Sequence, residues 1–321
     1  MLITEFLLAG LGLVILLLAG DTLVRGAVNL SLRLGIPALI VSLTIVAFGT
    51  SAPELLISIS AILDDVPGLA LGNVVGSNTA NILMVLGIPA LMSGLDTSNC
   101  DTRRNFVIMI VATLAFIALA FVGPFTWWHG LILLTGLALM LGEAAWTARC
   151  HHRDSAAAAA LEDLEDVEGA DPDMPWWKIV LFLLLGLVGL PLGADLLVDS
   201  SVVIARAFGV SETAIGLTLV AVGTSLPELA TTVMAALRRH AEVALGNVIG
   251  SNIFNLLGII GVASLVGPIP VDPEILRFDL WIMLAASLLL IPFVYHRWIF
   301  GRVTGVIFTA LYVIYVVSVL S

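Results

Sequence analysis

The chain has 321 residues, 60% of them hydrophobic and 12% charged, with a mean hydropathy of +1.12 and a formal net charge of −11. A water-facing domain is about 25% charged, so most of this surface belongs in a bilayer, and the disordered, disulfide-scaffolded and nucleic-acid-binding classes are excluded. Cys100 and Cys150 form neither a disulfide framework nor a metal-binding spacing.

Ten apolar segments follow one another, with cores at 2–20, 37–62, 69–94, 105–122, 126–147, 177–198, 212–237, 242–267, 278–295 and 299–320. A span takes about 20 apolar residues, so the longer segments predict tilt or internal breaks. Trp127, Trp128, Trp146, Trp176, Trp177 and Trp298 collect at segment ends, as interfacial tryptophans do. Between the fifth and sixth segments, Arg149 to Pro175 carries eight acids against two arginines, a solvated linker with the composition of a short helix around Ser155 to Leu164. It lacks the alternating ligands and glycine of a calcium-binding loop. The organisation expected is a first five-helix unit at 1–148, an acidic linker at 149–175 and a second five-helix unit at 176–321. With the N-terminus outside, Arg25, Arg33, Arg103, Arg104, Arg149, Arg153, Lys178, Arg238, Arg239, Arg297 and Arg302 fall on the cytoplasmic side, and Arg206 and Arg277 outside. By the positive-inside rule both termini are then external and 149–175 is cytoplasmic; the membrane expected is the cell (inner) membrane.

The chain is internally repeated. An offset of 174 aligns Asp21–Gly87 with Asp195–Gly261 without a gap, with 28 identities in 67 pairs. The identities cluster in Gly49-Thr50-Ser51-Ala52-Pro53-Glu54 against Gly223-Thr224-Ser225-Leu226-Pro227-Glu228, and in Leu71–Asn78 against Leu245–Asn252, with Asn81 matching Asn255. Five spans per half is odd, so the halves cross in opposite senses. The charges agree: Arg25 corresponds to Asp199, and Asp64-Asp65 to Arg238-Arg239. The fold class expected is an all-α membrane protein, ten transmembrane helices in two inverted-topology repeats, which places a site at the repeat interface near mid-membrane.

The repeated blocks carry the chemistry. Glu54 and Glu228 lie near mid-depth, where one carboxylate costs at least about 2.5–3.5 kcal/mol. No lysine or arginine lies mid-span to pair with them, so a metal ion or proton must come from solution. Pro53 and Pro227 leave the carbonyls of Gly49 and Gly223 without donors, acceptable at that depth only where the backbone lines a cavity. The spacing puts Ala47, Thr50 and Glu54 on one helix face. Ser77 and Asn81 lie four apart on the next helix, and the other repeat supplies Ser251 and Asn255. Carboxylates, amides, hydroxyls and carbonyls suit calcium and sodium, while the lack of mid-span histidine or cysteine argues against zinc, copper or iron. One calcium or two sodium ions would neutralise two glutamates.

The doubled pattern G-T-S-x-P-E with G-N-x-x-G-S-N-x-x-N resembles the alpha-repeats of the sodium/calcium exchangers in the calcium/cation antiporter superfamily, along essentially the whole chain. The resemblance implies Glu54 and Glu228 as shared central ligands. It further implies ligand roles for Ala47, Thr50, Ser51, Ser77 and Asn81, and for Ala221, Thr224, Ser225, Ser251 and Asn255. Several relatives, potassium-requiring ones among them, carry aspartate where this chain has Asn255, which weakens the case for potassium co-transport.

The function expected is calcium antiport against sodium by alternating access, with calcium/proton antiport by the same fold as the alternative and a cation channel or intramembrane hydrolase as remote ones. Gly193-Ala194-Asp195 superficially resembles an aspartyl-protease run, but a second mid-membrane aspartate at the required spacing is lacking. No enzymatic activity and no tightly bound cofactor are expected. The partners are transported calcium and sodium (protons in the alternative) and the lipid bilayer; no nucleic acid is expected and no protein partner is indicated. Asp21 and Asp195 read as helix-end carboxylates or gate residues, Asn73 and Asn247 as helix-end or packing amides rather than ligands, and Asn78 and Asn252 equally as helix-end or packing amides or as ligands.

Overall fold

The structure is a computed structural model that describes residues 2–97, 100–153, 171, 173–209 and 221–320, with the side chains of 150–153, 221 and 320 outside that description. The short helix expected around 155–164 therefore lies outside the described residues.

Helices α1 (Leu2–Leu34) and α7 (Trp176–Ala207) hold 33 and 32 residues. Each measures about 50 Å against a hydrocarbon core of about 30 Å, so both cross with a tilt or project beyond it. They overrun the expected 2–20 and 177–198 because charged residues such as Asp21 and Arg25 end the apolar stretch without ending the helix. The stops are glycines in the left-handed region, Gly35 (φ 64°) and Gly209 (φ 78°), themselves repeat mates. The two helices pack antiparallel: Gly12 faces Leu197 and Gly193, and Gly26 faces Leu183. A Cβ on Gly12 would lie 2.7 Å from the Leu197 nitrogen, and one on Gly186 would lie 2.5 Å from Leu23 Cβ. The offset of 174 turns one of these contacts into the other, so the two-fold relation of the sequence is physically present.

The second span is broken. Helices α2 (Ala38–Thr50) and α3 (Ala52–Leu63) meet at a 40° bend. Ser51 leaves helical geometry there (φ −87°, ψ 6°), two residues before the donor-less Pro53. The mate, α8 (Ala221–Thr224) and α9 (Leu226–Leu237), breaks at Ser225 with φ −88° and ψ 4°. The turns closing α3 and α9 are also alike: Asp65 and Arg239 take φ of 59° and 61°, and Val66 and His240 donate back to Ala61 and Ala235 at 2.8 Å each.

Helices α4 (Pro67–Met92) and α10 (Ala241–Val266) form the centre. Their most apolar windows are 83% buried, against 17% for α1 and 11% for α12 (Arg302–Leu320). Each contains a π-helical stretch, Asn81–Val85 and Phe254–Ile259, at the repeat-related asparagines; such bulges concentrate at functional sites. Helices α5 (Arg103–Val122), α6 (Trp127–Arg153) and α11 (Ile275–Tyr295) complete the bundle. Two short antiparallel pairings, Leu95 with Phe300 and Ile269 with Phe125, tie the loops. Leu95 and Ile269 differ by 174, so the relation extends past the aligned blocks.

Among the described residues, eight helices are long and apolar enough to span, or nine with the bent pair α2–α3 counted as one. The remaining expected span, the seventh at 212–237, is represented by α8 and α9, its first part lying outside the described residues. The exposed Trp127, Trp146, Trp177 and Trp298 stand at or near helix ends.

Candidate cation site between the two repeats

Both glutamates sit in the first turn of a helix that begins at a break: Glu54 in α3, Glu228 in α9. Sequence spacing places Ala47, Thr50 and Glu54 on one helix face, whereas the bend at Ser51 separates Thr50, the last residue of α2, from Glu54. The interruption aims the N-terminal ends of α3 and α9, with their partial positive charge, at the carboxylates. Both side chains are fully buried.

Close helix approach brings the other residues in. A Cβ on Gly250 would meet the Leu43 carbonyl at 2.4 Å and Ala47 Cβ at 2.7 Å, so only glycine lets α10 lie this tightly on α2. Across that contact Thr50 Oγ1 lies 3.4 Å from Ser251 Oγ and donates to Asn247 Oδ1 at 3.3 Å. Ser51 Oγ donates to Glu228 Oε1 at 3.0 Å, and Ser251 Oγ approaches the same oxygen at 3.5 Å. Asn81 Nδ2 donates to Asn252 Oδ1 at 3.1 Å, which fixes the Asn81 amide. Asn78 and Asn252, repeat mates, donate to each other's main-chain carbonyls at 3.1 and 3.4 Å.

Ala47, Ser77, Ser225 and Asn255 are buried with these residues, and Thr224 is 9% exposed. Ala221 opens α8, its side chain outside the described set. Asn247, read from the sequence as a helix-end or packing amide, bonds across the repeat interface to Thr50, and Asn78 and Asn252 bond to each other's main chain across it. The signal was available: all three lie in the repeat-identical block.

The unpartnered atoms are the informative ones. Glu54 Oε1 and Oε2, Glu228 Oε2, Asn81 Oδ1, Asn255 Oδ1, Asn78 Oδ1 and Ser225 Oγ are buried and have no hydrogen-bond partner. Among the described residues neither glutamate has an ion pair. Nor does any group of three or more His, Cys, Asp or Glu gather as a metal cluster. Buried carboxylate oxygens without donors are costly unless a proton or cation neutralises them, and a mixed set of carboxylate, amide and hydroxyl oxygens suits hard cations.

A buried, oxygen-lined site shared by two oppositely oriented repeats is the architecture of a secondary cation transporter. The chain matches the family described as sodium/calcium exchanger protein over residues 4–142 and 178–321. It is 37% identical to a putative antiporter CaxA of Alkalimonas amylolytica, over 87% of this chain and 86% of that one. It is 34% identical to the sodium/calcium exchanger MaX1 of Methanosarcina acetivorans, over 99% of both. Among solved structures, the sodium-calcium exchanger NCX_Mj soaked with zero Na+ and Ca2+ superposes with a TM-score of 0.82 at 32% identity, covering 99% of this chain and 100% of that one. The chain belongs to the sodium/calcium exchanger family; it is an integral membrane antiporter, not an enzyme.

Proposed function

We propose that the chain carries calcium in one direction and sodium in the other through a site held by Glu54 and Glu228. The observation supporting this most directly is the set of buried, unpartnered oxygens contributed by both repeats, with no basic side chain among the described residues paired to the carboxylates. One calcium between two carboxylates closes the site at zero net charge, and two sodium ions reach the same balance. Thr50, Ser51, Ser77, Asn81 and the main chain at Ala47 serve from the first half; Thr224, Ser225, Ser251, Asn255 and the main chain at Ala221 serve from the second. The hydroxyls give sodium satellite positions around the central pair. Amides at both Asn81 and Asn255 leave no third acid, so potassium is not required.

The units at 1–148 and 176–321 act as the two inverted halves, joined by the acidic 149–175 linker. The basic residues favour cytoplasmic placement of that linker and external termini; the cell (inner) membrane is the proposed residence. The test is calcium flux in proteoliposomes with a sodium, proton or potassium gradient imposed in turn. A sodium gradient should drive calcium uptake without potassium, and a pH gradient of about one unit should change it only mildly. Uptake that followed the pH gradient and ignored sodium would establish the proton antiporter instead.

A further inference from the structure

Asn73 and Asn247 lie outside the proposed ligand set, yet their amides occupy the same place in each half. Asn247 Nδ2 donates to the main-chain carbonyl of Glu228 at 3.4 Å and to Thr232 Oγ1 at 3.2 Å. Asn73 Nδ2 donates to the Glu54 carbonyl and to Ser58 Oγ, each at 3.5 Å. The hydroxyl partner lies four residues beyond the glutamate in both halves, although its residue type differs. Asn247 is fully buried, and its Oδ1 accepts from Thr50 Oγ1 across the repeat interface at 3.3 Å. One planar amide thus ties the start of α9 to the end of α2, two helix ends flanking breaks where regular main-chain bonding stops. Both of its polar atoms engage protein groups, Nδ2 in α9 and Oδ1 at Thr50.

We propose that Asn247, with Asn73 as its repeat mate, is a positioning residue that sets the width of the cation cage by holding Glu228 against Thr50. This rests on the proposed site. Without the strut the cage is freer to widen, and it loses its preference for calcium over a larger divalent ion. The experiment measures half-saturation for calcium and for barium in Asn247→Ala and in the milder Thr232→Val, which removes one hydroxyl and keeps the shape. Calcium half-saturation should rise roughly tenfold in Asn247→Ala and about threefold in Thr232→Val, the factors expected for two or more and one neutral hydrogen bonds. The barium-to-calcium ratio should fall toward unity in both. If both variants transport with wild-type calcium half-saturation and an unchanged ratio, the positioning role is refuted. Failure of the functional reading looks different, since wild-type protein would then move no calcium under a sodium gradient.

Among the described residues, one salt bridge has no counterpart at its repeat-related positions. Asp21 of α1 pairs with Arg25 one turn on at 3.1 Å and with Arg238, which caps the C-terminal end of α9. The mirrored positions hold Asp195, Asp199 and Asp64, all acidic. The packing is one-sided too. A Cβ on Gly20 of α1 would meet the Ala230 carbonyl of α9 at 3.0 Å and Met234 Cγ at 3.3 Å, whereas Leu56, the mate of Ala230, is 66% exposed. We infer that Asp21 and Arg238 form a latch present on one face only, which biases alternating access toward the conformer closed at that face. In protein with Cys100 and Cys150 replaced by serine, Met234→Cys reports opening through its rate of modification by a polar thiol reagent. Asp21→Asn and Arg238→Gln should each raise that rate roughly tenfold, as loss of a hydrogen bond between charged groups does, while Asp195→Asn should leave it unchanged. Wild-type rates in both latch variants, or an equal rise with Asp195→Asn, would refute the latch.

Discussion

Gly250→Ala tests whether the close approach of α10 and α2 builds the site. The added methyl would lie 2.4 Å from the Leu43 carbonyl oxygen and 2.7 Å from Ala47 Cβ. Relaxed carbon–oxygen contacts are about 3.3–3.6 Å, so the helices must separate by about 1 Å. The hydrogen bonds across that contact, Thr50 to Asn247 at 3.3 Å and Thr50 to Ser251 at 3.4 Å, have no such slack. Two neutral hydrogen bonds carry about 1–3 kcal/mol together, which is roughly fivefold to a hundredfold in affinity. Alanine gains about 1 kcal/mol over glycine in helix propensity, and overpacking costs about 1–3 kcal/mol, so the variant still folds. The assay is initial-rate calcium uptake against calcium concentration, with folded protein quantified by size-exclusion chromatography. Half-saturation should rise about tenfold with folded yield near wild type. Half-saturation within about twofold of wild type would show that the α10–α2 contact does not shape the site.

Four further outcomes follow from the same geometry. Glu54→Gln and Glu228→Gln each leave a bound divalent ion short of one charge, so sodium-driven calcium uptake should fall to background while the protein still inserts, as membrane-fraction blotting would show. Ser51→Ala removes a hydroxyl donor from Glu228 Oε1 and should weaken calcium half-saturation about tenfold, the scale of one charge-assisted hydrogen bond; an unchanged value in the uptake assay would remove Ser51 from the site. Asn81→Ala and Asn255→Ala lose a neutral dipole rather than a charge and should retain measurable transport, read by the same uptake assay. Burial, reinforced by the charges of Glu242 and Asp96, pushes the Cys100 thiol up to about 12, so it is protonated at neutral pH; thiol-specific mass spectrometry should find negligible modification at pH 8 and a rise only toward strongly alkaline pH.

The repeat was legible because identity at an offset of 174 falls on polar residues that a lipid-facing helix has no reason to keep. The depth of Glu54 and Glu228, and their lack of a basic partner, could be read from the same spans. Helix ends were less visible: Asp21 and Arg25 look like a boundary in a hydropathy pattern, but they pair one turn apart within α1, which continues to Leu34. The break at Ser51 was legible only as a proline nearby, because the change at Ser51 is one of main-chain angles. The cross-repeat bonds of Asn247 and Asn252 were not legible, since no sequence pattern says which buried amide meets which helix of the other half. The orphaned oxygens likewise emerge only when both repeats are assembled.

The central claim is that both repeats hold one transported cation jointly, through Glu54 and Glu228. Equilibrium binding of radioactive calcium to purified protein tests it most directly, with wild type, Glu54→Gln and Glu228→Gln compared at equal folded concentration. Wild type should bind calcium in a sodium-displaceable manner, and each single variant should lose that binding. Wild-type, sodium-displaceable calcium binding in either variant would contradict the shared site.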